Sequence, residues 1–311
     1  MAMRSALVLR WMTRSGAVLV LALLWWMPRE LAAQKKPVDW QALDPGFEGA
    51  TFVNDAQVCL ACHGDQATAF GHTTHARAFQ AGKMPARGQC EVCHGPRSEH
   101  VQSPDRQLAW DSLTAVEQSS VCLQCHEDGN RMGFKGGAHL MADNSCTSCH
   151  SVMTAKSERF LLARSGVTET CYNCHAETRA QMSKASHHPV REGRMDCASC
   201  HNVHGSTTGL MRTASVNETC ATCHAEKRGP FVWEHAPVRE SCATCHEAHG
   251  SSNRNLLNRK DSFLCLQCHS YGGHINLPRY NRTSNPYGSG CTNCHMAIHG
   301  SNHPSGAKLT R

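Results

Sequence analysis

Aromatic side chains are scarce in this 311-residue chain, at 6% of all residues with only four tyrosines. Mean hydropathy is negative. Together these exclude a conventional apolar core as the main source of stability. Long hydrophobic runs are also missing. After Ala17–Met27 no segment approaches the roughly 20 apolar residues of a membrane-spanning helix, so the mature chain is predicted to be soluble or to enter a membrane only inside another protein. There is no clustered basic patch and no reading motif, which argues against nucleic acid as a partner. Runs such as Arg77 to Arg87 read as solvated faces or partners for carboxylates.

The N-terminus has the layout of a secretory signal: Arg4, Arg10 and Arg14, the apolar run, Pro28 as a breaker, and small residues at Ala32 and Ala33. Cleavage after Ala33 is expected, which makes 1–33 a signal peptide and 34–55 an N-terminal segment. Removing Arg4, Arg10, Arg14, Arg29 and Glu30 lowers the formal charge from +6 to about +3.

What the chain has in excess is cysteine, 20 residues with none outside one motif, CxxCH. The thioether candidates are Cys59/Cys62, Cys90/Cys93, Cys122/Cys125, Cys146/Cys149, Cys171/Cys174, Cys197/Cys200, Cys220/Cys223, Cys242/Cys245, Cys265/Cys268 and Cys291/Cys294. Each pair is followed by its proximal histidine: His63, His94, His126, His150, His175, His201, His224, His246, His269 or His295. Two thiols three residues apart can bond the two vinyl groups of one haem, and the adjacent imidazole then reaches the iron. Zinc ribbons also use CxxC, but zinc leaves the adjacent histidine unexplained. The motifs therefore predict ten covalently bound haems c, whose propionates would make the loaded protein acidic.

Twelve of the 22 histidines lie outside the motifs. Repeats select distal ligands among them. In CHNVHGS and CHEAHGS, His204 and His249 stand three residues after the proximal histidine, and Met153 holds that place after Cys146–His150. The H-x-P-V-R-E segments pair His187 with His235, and His139 precedes Cys146 by the same seven residues as His235 precedes Cys242. His75, His100, His274 and His299 complete nine distal histidines. For the tenth site the register nominates Met153, with His303, His72 and His188 as rivals, and methionine packing beside a porphyrin as the alternative for Met153.

Motif-to-motif intervals of 22 to 32 residues leave no room for a separate catalytic domain. The expected fold is a multihaem cytochrome c, mostly irregular with short α-helices, almost no β-sheet and an elongated haem array. A division into pentahaem halves, 56–175 and 176–311, is expected.

The ten motifs, the H-x-P-V-R-E segments, CHNVHGS, CHEAHGS and the terminal CTNCHMAIHGSNHPSG resemble the MtrA/DmsE family of decahaem cytochromes over essentially the whole mature chain. The resemblance implies a periplasmic protein associated with the outer membrane, inserted in an outer-membrane β-barrel partner. It would relay electrons between a periplasmic or inner-membrane cytochrome and an extracellular multihaem cytochrome or iron. Family members are mainly bis-histidine ligated, so Met153 is a departure. A soluble periplasmic shuttle is the alternative. A multihaem reductase would need an open iron, which the abundance of distal ligands disfavours, and no catalytic residue is expected.

Overall fold

The computed structural model of the chain describes residues 38–81, 90–105, 110–205, 207–269 and 290–310. The expected signal peptide, 1–33, and His274 lie outside these residues. The chain divides into two units, Met1–Val38 and Asp39–Arg311, and every described helix belongs to the second. No helix of the described residues is long and apolar enough to cross a membrane.

Several of the short helices begin at side-chain caps, and all end within a few turns. Thr114 and Glu117 form a reciprocal capping box that starts Ala115–His126, the longest helix described at 12 residues. Asp55, Thr73 and Ser215 cap Ala56–Leu60, Thr74–Gln80 and Val216–Ala221. Helices this short are not stable alone, and tertiary packing must sustain them. Among the described residues there is no strand, only five isolated bridges: His150 with Leu162, His201 with Met211, His246 with Leu257, Ser186 with Ser251 and Trp233 with Ser301.

Side-chain burial is as thin as the composition predicts, with thirteen hydrophobic residues buried among those described. One cluster is Ala115, Leu123, Phe134 and Leu140, with Cys146 packed against it. A second forms where Trp40 and Phe47 lie over Gly95, at which φ is 73° and a Cβ would collide with both rings. Arg97 completes it, with its guanidinium 5.3 Å from the Phe47 ring centre. The N-terminal segment is thereby fastened to the second motif. Glu91, inside that motif and 2% exposed, accepts the amide hydrogens of Val53, Asn54 and Arg97 at 2.9–3.0 Å.

Candidate functional site

Every CxxCH motif is one helical turn. Outside the longest helix, the histidine amide donates to the carbonyl of the first cysteine at 2.9–3.0 Å in each motif, His63 to Cys59 through His295 to Cys291. Residues at i, i+3 and i+4 of such a turn share a face, so both thiols and the imidazole point the same way. From the third motif onward two kinds of turn alternate. Motifs three, five, seven and nine close α-helices, Ala115–His126, Val167–Tyr172, Val216–Ala221 and Asp261–Cys265. Motifs four, six, eight and ten are 3-10 turns, Cys146–Ser148, Cys197–Ser199, Cys242–Thr244 and Cys291–Asn293.

The 3-10 motifs share a further device. The Nδ1 of His150, His201, His246 and His295 meets the carbonyl of Phe160, Gly209, Asn255 and Lys308 respectively, at 2.6–2.9 Å. The next residue is a leucine each time, Leu161, Leu210, Leu256 or Leu309, held at φ of 50–57°. A left-handed leucine costs roughly 1–2 kcal/mol, and strain of this kind collects where a functional group must be aimed. Here it turns a carbonyl onto Nδ1, which fixes the tautomer and leaves Nε2 facing outward to bind a metal.

Eight motif histidines face a second imidazole: His63 with His100, His126 with His75, His150 with His204, His175 with His139, His201 with His249, His224 with His188, His246 with His299 and His269 with His235. Their ring centroids lie 5.7–6.4 Å apart. Nitrogens about 2.0 Å either side of one metal, each with its ring centre roughly 1 Å further back, would set centroids about 6 Å apart. The spacing fits an iron between each pair. His94 faces no second histidine among the described residues, and the predicted His274 is not among them.

The His187 expectation is corrected. His188, not His187, faces His224. Both ring nitrogens of His187 are engaged locally, Nδ1 with the Lys184 carbonyl at 2.6 Å and Nε2 with Glu192 at 3.1 Å. The H-x-P-V-R-E alignment fails because the second copy folds into the helix Ala236–Glu240, whereas the first runs through turns. The bridges give the working register: His188 lies two residues after Ser186 and His235 two after Trp233, and i, i+2 in extended chain share a side.

The facing histidines are poised neutral, the form that binds metal. Burial lowers the pKa of His204, His235 and His249, and the charge of the facing His150, His269 or His201 lowers it further. Met153 is half-buried on the loop after His150. His72 is exposed, and His303 accepts the Ser305 amide at Nδ1.

The sulfurs reveal an order that spacing alone does not. First cysteines of consecutive motifs lie near enough to push each other's thiol pKa in five pairs, Cys90 raised beside Cys59, Cys122 beside Cys146, Cys171 beside Cys197, Cys220 beside Cys242 and Cys265 beside Cys291. Second cysteines act on one another electrostatically at the four junctions between, Cys93 with Cys125, Cys149 with Cys174, Cys200 with Cys223 and Cys245 with Cys268. The nearest sulfurs of consecutive motifs are thus first cysteines at five junctions and second cysteines at the four between, where Cys93, Cys149 and Cys200 also act on Cys122, Cys171 and Cys220.

Two of the expected attachment residues differ from the rest in taking no part in these junctions. Cys62 and Cys294 are the second cysteines of the first and tenth motifs, exposed to solvent as are Cys125, Cys174, Cys223 and Cys268. Each still lies on its own helical turn beside its proximal histidine, with the Cys62 amide on the Cys59 carbonyl and the Cys294 amide on the Cys291 carbonyl, both at 3.2 Å. The local attachment geometry is therefore kept at both ends, while the contact between motifs is lost.

This geometry agrees with what the chain is similar to. The pattern of the doubled CXXCH motif family matches residues 139–180, 187–229 and 235–274. The multihaem cytochrome MtrA of Shewanella baltica (strain OS185) is 41% identical over 287 residues, covering 86% of this chain and 85% of that protein. The chain belongs to the MtrA family of multihaem c-type cytochromes. As a family member it binds haem c covalently and is an electron carrier rather than an enzyme. Its short helices and absence of sheet among the described residues are the irregular fold of that class. Sequence reasoning missed Glu91 and the four left-handed leucines; the recurrent LLAR, LMR and LLNR segments were the visible trace of the leucine turns.

Proposed function

We propose that this chain carries ten haems c and relays electrons across the outer membrane. It would do so inside a β-barrel partner, from a periplasmic or inner-membrane cytochrome to an extracellular multihaem cytochrome or iron, or in reverse. The observation that carries this reading is the set of eight facing histidine pairs, which sets metal-sized gaps at eight of the ten CxxCH turns and links turns far apart in the chain. A bilayer about 40 Å thick with its headgroups is too wide for one transfer step and calls for such a relay.

Haem supplies reversible one-electron chemistry at iron. The twenty motif cysteines attach it, and the ten motif histidines are the proximal ligands. His75, His100, His139, His188, His204, His235, His249 and His299 are the distal ligands at the eight facing pairs, and His274 is assigned to His295 at the chain's end. Six-coordinate irons exclude substrate, which favours transfer over reduction of a bound molecule. The signal-like N-terminus supports export to the periplasm.

The test is purification of the full chain from its native membrane under mild detergent, followed by incorporation into vesicles that enclose a redox dye. Co-purification of a large β-barrel, ten haems per chain, and dye reduction by an external donor are expected. A chain that purifies alone and carries no current across vesicles even with a barrel supplied would instead identify a soluble shuttle.

A further inference from the structure

From the fourth motif onward the facing pairs obey one rule, built on two-motif modules. Within a module, the histidine ahead of the 3-10 motif faces the histidine of the α-helical motif that follows, as His139 faces His175 and His188 faces His224. Between modules, the residue on the loop after a 3-10 motif crosses to the first motif of the preceding module. His204 reaches His150, His249 reaches His201 and His299 reaches His246. Each module therefore caps an iron site in its neighbour.

One crossing is unassigned. The module of the fourth and fifth motifs has the same loop frame as the next two, with His150 bridged to Leu162, the Ser151 amide on the Leu161 carbonyl and the His150 Nδ1 on Phe160, as at His201 and His246. Met153 holds the place of His204 and His249 on that frame. The preceding module begins with the second motif, whose His94 faces no second histidine among the described residues.

The seat beside it gives an independent sign. His139 and His188 each place Nδ1 on the carbonyl just before the crossing histidine, Val203 at 3.3 Å and Ala248 at 2.8 Å. The Ile298 carbonyl stands in the same relation to His235, without meeting hydrogen-bond geometry. His75 is the matching residue of the second module. Its Nδ1 is buried and has no partner. The carbonyl in register for it is that of Val152, immediately before Met153.

We propose that Met153 Sδ is the distal ligand of the haem attached at Cys90 and Cys93, opposite His94. This rests on the multihaem relay proposed above and deepens it. A thioether favours the reduced iron relative to a second imidazole, so this haem has the highest potential in the chain. It sits one haem from the N-terminal end and creates a single step where all other sites are bis-histidine.

Near-infrared magnetic circular dichroism of the oxidised full chain separates thioether-ligated from bis-histidine low-spin haem. The expected result is a sulfur charge-transfer band amounting to one haem in ten, lost in both Met153→Ala and Met153→His. In voltammetry the highest-potential component should shift downward in Met153→His, which preserves a sixth ligand. No sulfur band in the wild type, or a band that persists in both variants, overturns the assignment. Haem count per chain and peptide mass spectrometry report on the underlying reading separately: ten haems without a sulfur band remove Met153 alone, whereas unmodified Cys90 and Cys93 remove the ten-haem relay as well.

Discussion

Single residues decide which nitrogen reaches a metal. His187 and His188 are adjacent and alike in sequence, yet one is tied to Lys184 and Glu192 and the other faces His224. His188→Ala should turn one haem high-spin, and His187→Ala should leave every haem low-spin, as read by electron paramagnetic resonance. High-spin signal from the second variant would reverse the assignment. Glu91 acts on stability. It accepts three backbone amides while almost fully buried, so Glu91→Ala strands those donors and should cost about 3–5 kcal/mol, seen as a lower denaturation midpoint. Glu91→Gln, which keeps an acceptor, should lose less. Nothing in the sequence marked Glu91, because its partners Val53 and Asn54 are far away in the chain. The helical turn at each CxxCH motif, by contrast, was readable from the sequence, because it is a local structure that a few neighbouring residues determine.

At the scale of elements, what was legible depended on whether a contact was local. Short helices at the motifs followed from caps such as Thr114 and Glu117. The alternation of α-helical and 3-10 motifs did not, since the two share the same CxxCH letters and differ in how the following loop folds back. The H-G-S loops owe their close approach to glycine. At Gly250, φ is 154° and a Cβ would run into the Gln181 carbonyl, just where Ser251 bridges to Ser186. Gly250→Ala should therefore cost roughly 2–3 kcal/mol and loosen His249 from His201. A lower thermal midpoint with a new high-spin component would show it; an unchanged protein would mean that the loop is free to retreat.

Across the whole unit, the pairs link modules far apart in sequence, and His150 with His204 crosses the 175/176 boundary expected between pentahaem halves. Long-range pairing of this kind has no signature in spacing, which explains why candidate distal histidines could be named while their partners could not. It also makes the chain's end matter to sites upstream. Removing residues 290–311 takes away one attachment motif and His299 as well, so a truncated chain should carry one haem fewer and leave the haem at His246 five-coordinate. Pyridine haemochrome counting together with high-spin absorbance would detect both losses; one haem fewer with all others low-spin would contradict the crossing.

The alternating sulfur contacts also govern how such a chain can grow. A junction between first cysteines is always followed by one between second cysteines, so a single inserted motif would present the wrong edge to everything after it. Two inserted together restore the sequence of edges. Copying residues 187–234 as one block, which carries two motifs, should therefore add two binding turns while keeping that order of edges.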